Sequence, residues 1–263
     1  MRHLLLTGAT GGIGQALALV YAGPGWRLTL CGRDTARLVA LCGACQAQGA
    51  VVTPLVLDVR DGEAVARELR AADDAWPVDT VIAGAGVSAS VSPEGRGENP
   101  VDVRRLFGVN ALGAAETLSA LAERLRLRGA GRLAVISSLG GYHGSPFSPA
   151  YSASKAAARV YGEALRGWLA PYGVTVTVVC PGFVDSPMSR RYRGNKPQLW
   201  DARKAAVVIR DGIEKGRPRV DFPWSLALGA RLLGLLPPRL ADAIQRRYFA
   251  FSVAPDAETA GSE

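Results

Sequence analysis

Lysine is scarce in this chain. Of 31 basic residues four are lysines, Lys155, Lys196, Lys204 and Lys215, so arginine carries nearly all the positive charge. Lys155, far ahead of the others, marks a position where a compact ammonium on a flexible stem is wanted. Histidine is scarcer still, with His3 and His143 alone. Two histidines do not build a histidine-based metal site, and neither has an evident Ser-His-Asp setting, so a general base has to be another side chain and no metal is expected. Four cysteines, with no secretory apolar segment ahead of the first strand, point to a reducing, cytoplasmic setting. Cys42 and Cys45 form a C-x-x-C, but no second pair or metal-spaced histidine accompanies it, and its alanine-rich surroundings read as helix rather than as a zinc or redox site.

What is present is enough for one large α/β domain. The 263 residues can bury a substantial core, and 48% hydrophobic with 21% charged residues is ordinary for a globular chain. The net charge of +8 fits an anionic cofactor, a membrane surface, nucleic acid or a solvated basic face. The basic residues are scattered and come without a nucleic-acid reading motif, so no nucleic-acid partner is expected.

Short apolar runs alternate with longer helical patterns: LLLTG at 4–8, RLTLCG at 27–32, VVTPLVLDV at 51–59, VDTVIAGAG at 78–86, RLAVISS at 132–138 and VTVTVVCPG at 174–182. Such alternation predicts a doubly wound parallel sheet flanked by helices, with strands buried on both faces. Ligands of these sheets bind at the carboxyl ends of the strands. The residues just after each run are therefore the ones that matter.

After the first run, TGATGGIG opens a helix with Gly8, Gly11, Gly12 and Gly14. Glycines there let backbone amides, including those near Thr10 and Ile13, approach a pyrophosphate at the positive helix end. The second run ends in Gly32-Arg33-Asp34, with glycine where an NAD-binding fold usually carries an acidic residue for the ribose 2′-hydroxyl. Arg33 can receive a 2′-phosphate, so NADP(H) is favoured over NAD(H). Asp58 and Val59 close the third run, Asp58 as an adenine acceptor, a helix N-cap, or both. After the fourth run, Ala83 and Gly84 are small enough for a ligand to lie against backbone.

Asn110 stands inside a helical pattern from about Pro100 to Arg128, where asparagine suggests a polar partner or a local distortion. The fifth run ends in Ser137 and Ser138, and a glycine-containing loop then leads to Tyr151 and Lys155, neighbours on one helical face. A phenol titrates near ~10 in water. A nearby ammonium is expected to lower that value, and Tyr151 could then exchange a proton with an alcohol or carbonyl oxygen held by Ser138.

TGATGGIG, Asn110, Ser138 and Tyr151-x-x-x-Lys155, with Ser138 thirteen residues ahead of Tyr151, resemble the classical short-chain dehydrogenase/reductase family over roughly residues 1 to 220. The resemblance implies a Rossmann-like catalytic domain, here 1–221, and an Asn-Ser-Tyr-Lys tetrad. In it Tyr151 is the acid/base, Ser138 anchors the substrate oxygen, Lys155 holds the ribose, and Asn110 anchors a water of the proton relay. PGFVDSPM, 181–188, resembles the nicotinamide-binding segment, with Pro181, Gly182, Val184 and Ser186 near the carboxamide and serine where threonine is more usual. Ala83-Gly84 departs from the family's common NNAG and removes two side-chain amides. A homodimer or homotetramer is what the family suggests.

Residues 186–200 resemble the family's variable substrate lid. The tail departs from the glycine-rich ending of the 3-oxoacyl carrier-protein reductases: residues 222–251 read as a C-terminal helical extension. One stripe is Leu226, Ala230, Leu233 and Leu236; after Pro237-Pro238 a second is Leu240, Ile244, Tyr248 and Phe251. The first apolar stretch is broken by Arg231 and is shorter than the ~20 residues that span a bilayer. It could pack on the domain or a partner subunit, cover a hydrophobic substrate, or make peripheral membrane contact. Residues 252–263 read as a disordered tail. The chain is thus expected to be an oxidoreductase acting on a small carbonyl or secondary alcohol, hydrophobic or lipid-like. The alternative is a noncatalytic dinucleotide sensor or scaffold of the same fold.

Overall fold

In the computed structural model, which describes residues 1–91 and 97–254, the apolar runs are strands and the segments between them helices. The strands are β1 (Arg2–Thr7), β2 (Trp26–Gly32), β3 (Val51–Val56), β4 (Thr80–Ala83), β5 (Gly131–Ile136), β6 (Val174–Pro181), β7 (Tyr192–Gly194), β8 (Arg219–Phe222) and β9 (Phe251–Val253). The helices are α1 (Gly12–Tyr21), α2 (Thr35–Gln46), α3 (Gly62–Ala75), α4 (Pro100–Phe107), α5 (Gly113–Arg128), α6 (Pro149–Leu169), α7 (Pro187–Arg190), α8 (Ala202–Glu214), α9 (Trp224–Leu233) and α10 (Pro238–Tyr248). Seven strands form one parallel sheet in the order β3-β2-β1-β4-β5-β6-β8, the doubly wound arrangement expected, and α9 and α10 are additional C-terminal helices.

Successive residues of a strand face opposite ways, and in β1 both ways lead into core. Leu5 joins Val65, Leu69, Val81, Leu118 and Leu133 on the side of α3 and α5. Leu4 and Leu6 join Leu17, Leu28, Leu38, Ile209 and Ile213 on the side of α1, α2 and α8. A continuous apolar run is what such a strand requires, and truncating a leucine here to alanine costs about 2–5 kcal/mol. Cys42 and Cys45 lie buried in the second core, where burial pushes the Cys45 thiol up to about 11. They fill space in α2.

Three strands differ from the sequence expectation. β3 is an edge strand with Val51 and Val56 exposed and Pro54 inside it, which an edge tolerates because one row of its backbone groups needs no ladder partner. It ends at Val56, leaving Asp58 in the following turn. β8, a four-residue strand that no long apolar run announces, pairs with β6 at the other edge. β9 lies where a disordered tail was expected: Ser252 and Val253 pair with the lid strand β7, and the Ala254 amide donates to the Arg191 carbonyl at 2.9 Å. The remainder of that tail, 255–263, lies outside the described residues.

The C-terminal extension is a helical pair. Leu226 and Ala230 pack on the core as their stripe predicts, together with Ala227, whereas Leu236 is exposed. On α10 the buried positions are Ala241 and Gln245, not Leu240 and Tyr248, which face solvent. The helix is turned because Gln245 donates its amide to the Gly144 carbonyl at 2.8 Å. Among the described residues no helix is long and apolar enough to cross a membrane.

His3 is a core residue. Its Nδ1 lies 2.8 Å from the Trp76 carbonyl, an acceptor, so Nδ1 carries the proton and Nε2 accepts from the Thr29 hydroxyl at 2.8 Å. Burial lowers its pKa from 6.5, so as the pH falls the unfolded chain takes up a proton first and stability is lost below that value. His3→Gln should therefore flatten the decline of Tm between about pH 6.5 and pH 5, followed by scanning fluorimetry. An unchanged slope would show that His3 does not set it.

Candidate active site

The parallel register brings the carboxyl ends of β1, β2 and β4 side by side: Thr7 is level with Cys31 and with Ala83. The turn after β1 then meets the turn after β4 with no side chain between them. A Cβ on Gly8, whose φ is +69°, would lie 2.5 Å from the Ala85 backbone, and one on Gly84 would lie 2.8 Å from the Thr7 carbonyl. One on Gly14 would stand 2.1 Å from the Gly8 carbonyl. Ala83-Gly84 is the departure from the family pattern, and the Thr7 hydroxyl compensates by accepting from the Gly84 amide at 3.3 Å.

This bare loop opens α1, whose N-cap is Gly11 and whose first turn has no side-chain cap. The amides around Thr10, Gly12 and Ile13 are thus presented by a helix end without a competing acceptor, which fits a pyrophosphate. A Cβ on Gly12 would meet the Ser186 side chain at 2.3 Å, so the segment after β6 closes on the loop from the other side. In that segment the Gly182 amide donates to the Phe222 carbonyl at 2.7 Å, beside Pro181. Val184 is buried and bridges to Trp200. The Ser186 hydroxyl caps α7, accepting from the Ser189 amide at 3.1 Å.

Next to the loop, Gly32 has the Thr10 side chain 3.1 Å from where a Cβ would stand, a close approach at the place of the usual acidic residue. Asp34 caps α2 by accepting from the Arg37 amide at 3.0 Å. Arg33 lies 4.0 Å from Asp58, which also holds the Arg60 guanidinium at 2.5 Å. The Arg60 hydrogen bonds keep the Asp58 carboxyl below the ordinary range. Asp58 is not the N-cap of α3; Asp61 is, accepting from the Ala64 amide. Val59 is core, packed so closely that a Cβ on Gly113 of α5 would be 2.7 Å away.

Asn110 has both features its sequence setting implied. Residues Gly108–Leu112 form a π-turn joining α4 to α5, and the Asn110 side chain reaches out of it. Its Oδ1 accepts from the Val87 amide at 2.9 Å, and its Nδ2 donates to the Val87 carbonyl and the Ser154 hydroxyl, both at 3.0 Å. Ser154 in turn donates to the Tyr151 carbonyl at 2.8 Å. Asparagine thereby fastens the chain after β4 to the helix that carries Tyr151 and Lys155.

Lys155 is buried, and its Nζ donates to the Ile136 carbonyl at 3.0 Å while the Ser137 hydroxyl donates to the Lys155 carbonyl at 2.7 Å. Burial lowers the ammonium to about 8, so it stays largely cationic at neutral pH. Ser138 Oγ accepts from the Gly140 amide at 3.0 Å, and Gly140 lies beside the Tyr151 ring. Tyr151 corrects an expectation: burial raises its pKa, and the opposing influence comes from the Ser138 hydroxyl rather than from Lys155. The protein's own groups therefore favour the neutral phenol of Tyr151.

Two features of the site were not foreseen. The Tyr142 hydroxyl, on the loop between Ser138 and Tyr151, donates to Asp221 at 2.7 Å, and Asp221 also pairs with Arg231 of α9. The β7–β9 pairing straps the segment after β6 with a row of rings: Phe147 to Phe251 at 5.8 Å, Phe251 to Tyr192 at 4.4 Å and Tyr192 to Phe183 at 4.9 Å. Alternating Phe251 and Val253 were the signal, too short to read without a partner strand.

The family model for short chain dehydrogenases matches residues 2–197. An uncharacterized oxidoreductase of Myxococcus xanthus is 39% identical over 248 residues, 94% of this chain and 97% of that protein. The ketoacyl reductase HetN of Nostoc is 32% identical over 75% of this chain and 69% of its own length. A short-chain dehydrogenase from Sphingobium yanoikuyae, solved in complex with NADPH, superposes with a TM-score of 0.76 over 90% of this chain and 97% of that one, at 24% identity. The chain belongs to the short-chain dehydrogenase/reductase family and is an NAD(P)-dependent oxidoreductase of that kind.

Asn110→Leu should destabilise the fold by about 1–3 kcal/mol in urea unfolding, since it leaves the Val87 amide and carbonyl without their partner. A loss within error would show that water replaces the side chain. Ending the chain after Ala250 should make the lid arginines, Arg190 to Arg193, the first sites of tryptic cleavage, because β7 then has no partner. Cleavage unchanged in site and rate would mean that β9 does not hold the lid.

Proposed function

We propose that the protein is an NADP(H)-preferring oxidoreductase that moves hydride between nicotinamide and a carbonyl or secondary-alcohol carbon, with Tyr151 as acid/base. The observation that supports this reading most is Ser138 beside Tyr151, with Lys155 buried on the same helix and Asn110 tying that helix to the chain after β4. Bound there, the nicotinamide supplies or accepts the hydride. In reduction Ser138 and Tyr151 polarise the carbonyl oxygen and Tyr151 gives it a proton; in oxidation Tyr151 takes the proton back. Lys155 binds the ribose hydroxyls through its buried ammonium. Asn110 is a positioning residue that anchors a relay water.

Gly8, Thr10, Gly11, Gly12, Ile13 and Gly14 hold the pyrophosphate, and Ala83 and Gly84 give the cofactor a flat backbone to lie on. Asp58 and Val59 bound the adenine side; Pro181, Gly182, Val184 and Ser186 hold the nicotinamide end. The NADP(H) preference rests on Arg33 beside Gly32, which supplies no carboxylate for the ribose 2′-hydroxyl, with Asp34 engaged as a helix cap. The apolar ring row around the lid and the ketoacyl reductase named among the relatives favour a hydrophobic carbonyl substrate. We place the enzyme in the cytoplasm as a homodimer or homotetramer.

Oxidation of NADPH and of NADH, each followed at 340 nm with a panel of ketones including long-chain 3-oxo esters, tests the reading. Turnover should fall by roughly 10²–10⁴-fold in Tyr151→Phe with cofactor binding retained. Equal turnover in the variant would remove Tyr151 from the chemistry, and cofactor binding without turnover across the panel would favour a sensor. Arg33→Ser should weaken NADPH at least about tenfold and leave NADH unchanged, as loss of a phosphate-binding guanidinium requires. Equal weakening of both would refute the 2′-phosphate role.

A further inference from the structure

The helix α9 is apolar on two sides. Leu226, Ala227 and Ala230 cover the core, while Trp224, Leu228 and Leu232, one turn apart, face outward and run on into Leu235, Leu236 and Leu240. Trp224 is 76% exposed, Leu232 51% and Leu235 80%. A cluster of large exposed apolar side chains marks a docking surface.

We propose that this face of α9 and α10 docks in the plane of a membrane surface that contains anionic lipid. Charge chooses between occupants. From Trp224 to Tyr248 the arginines are 231, 239, 246 and 247 against one acid, Asp242. Arg231 is paired with Asp221, and Arg239, Arg246 and Arg247 are exposed. A second copy of this chain would bring the same arginines together, whereas anionic headgroups complement them, each worth about 1 kcal/mol near such a surface. The ten residues of α9 extend about 15 Å, half the hydrocarbon thickness, so the helix lies in the interface rather than across it. Tryptophan and leucine toward the acyl boundary with arginine alongside is the pattern of such a helix.

The face adjoins the site: Arg231 and Tyr142 share Asp221, and Gln245 holds Gly144, both on the loop between Ser138 and Tyr151. The proposed docking uses the solvent-facing side of these helices, not the side that holds the loop. It does not depend on the reaction proposed above.

The test is co-sedimentation of the full chain with phosphatidylcholine vesicles, with and without phosphatidylglycerol. The wild type should bind the anionic vesicles. Leu228→Gln/Leu232→Gln, exposed positions whose change leaves the melting curve in place, should lower partitioning on the order of tenfold or more. Arg239→Gln/Arg246→Gln/Arg247→Gln should abolish the preference for the anionic vesicles. No binding by the wild type, or equal binding by the leucine variant, overturns the proposal. So does light scattering that shows an oligomer lost in the leucine variant with no vesicle binding, which would assign the face to a second copy. Because sedimentation is read without turnover, either idea can fail alone.

Discussion

The structure depends on one close approach of backbone to backbone at the carboxyl ends of β1 and β4. Gly8 and Gly84 sit where any Cβ would overlap the facing main chain, and Gly14 packs α1 down onto the Gly8 carbonyl. That contact sets how far α1 stands from the sheet. It also leaves the helix end uncapped by side chains, so the same absence of Cβ atoms that packs the fold makes room for an anion. The Thr7 hydroxyl on the Gly84 amide shows how the turn after β4 stays fastened with no asparagine amides there.

The second half of the site hangs on Asn110. A residue that fits a helix interior poorly stands at the one place where α4 and α5 are joined by a wider turn, and the side chain freed by that turn joins Val87 to Ser154. Through Ser154 it reaches the helix turn of Tyr151. Lys155 shows why a lysine stands in so arginine-rich a chain: its environment is apolar enough to lower the ammonium to about 8, and a backbone carbonyl at 3.0 Å accepts one of its three donors. A guanidinium, with five donors to satisfy, fits such a place poorly.

The C-terminal extension acts on this site from outside. Arg231 and Tyr142 meet on Asp221, Gln245 holds Gly144, and Phe251 stacks on Tyr192 of the lid. The loop before Tyr151, the 186–200 segment and the tail thus brace one another.

Much of this was legible along the chain because the signals are local. Period, glycine spacing and the four-residue step from Tyr151 to Lys155 are properties of neighbours in sequence, and they pointed to the sheet, the glycine-rich turn and the helix that carries both side chains. The rest needed distant partners. Burial, not the adjacent lysine, governs the Tyr151 phenol. Asp58 is claimed by Arg60, so Asp61 caps α3. β8 and β9 are too short to be strands without β6 and β7 beside them. The rotation of α10 follows a hydrogen bond to a loop a hundred residues away rather than its own hydrophobic stripe. Sequence by itself determined which elements form and which chemical groups they carry, since that is set by torsional preference and apolar period. Only the tertiary structure decided which of those groups are desolvated, paired or capped, because desolvation and pairing are set by whichever residues arrive from elsewhere in the chain.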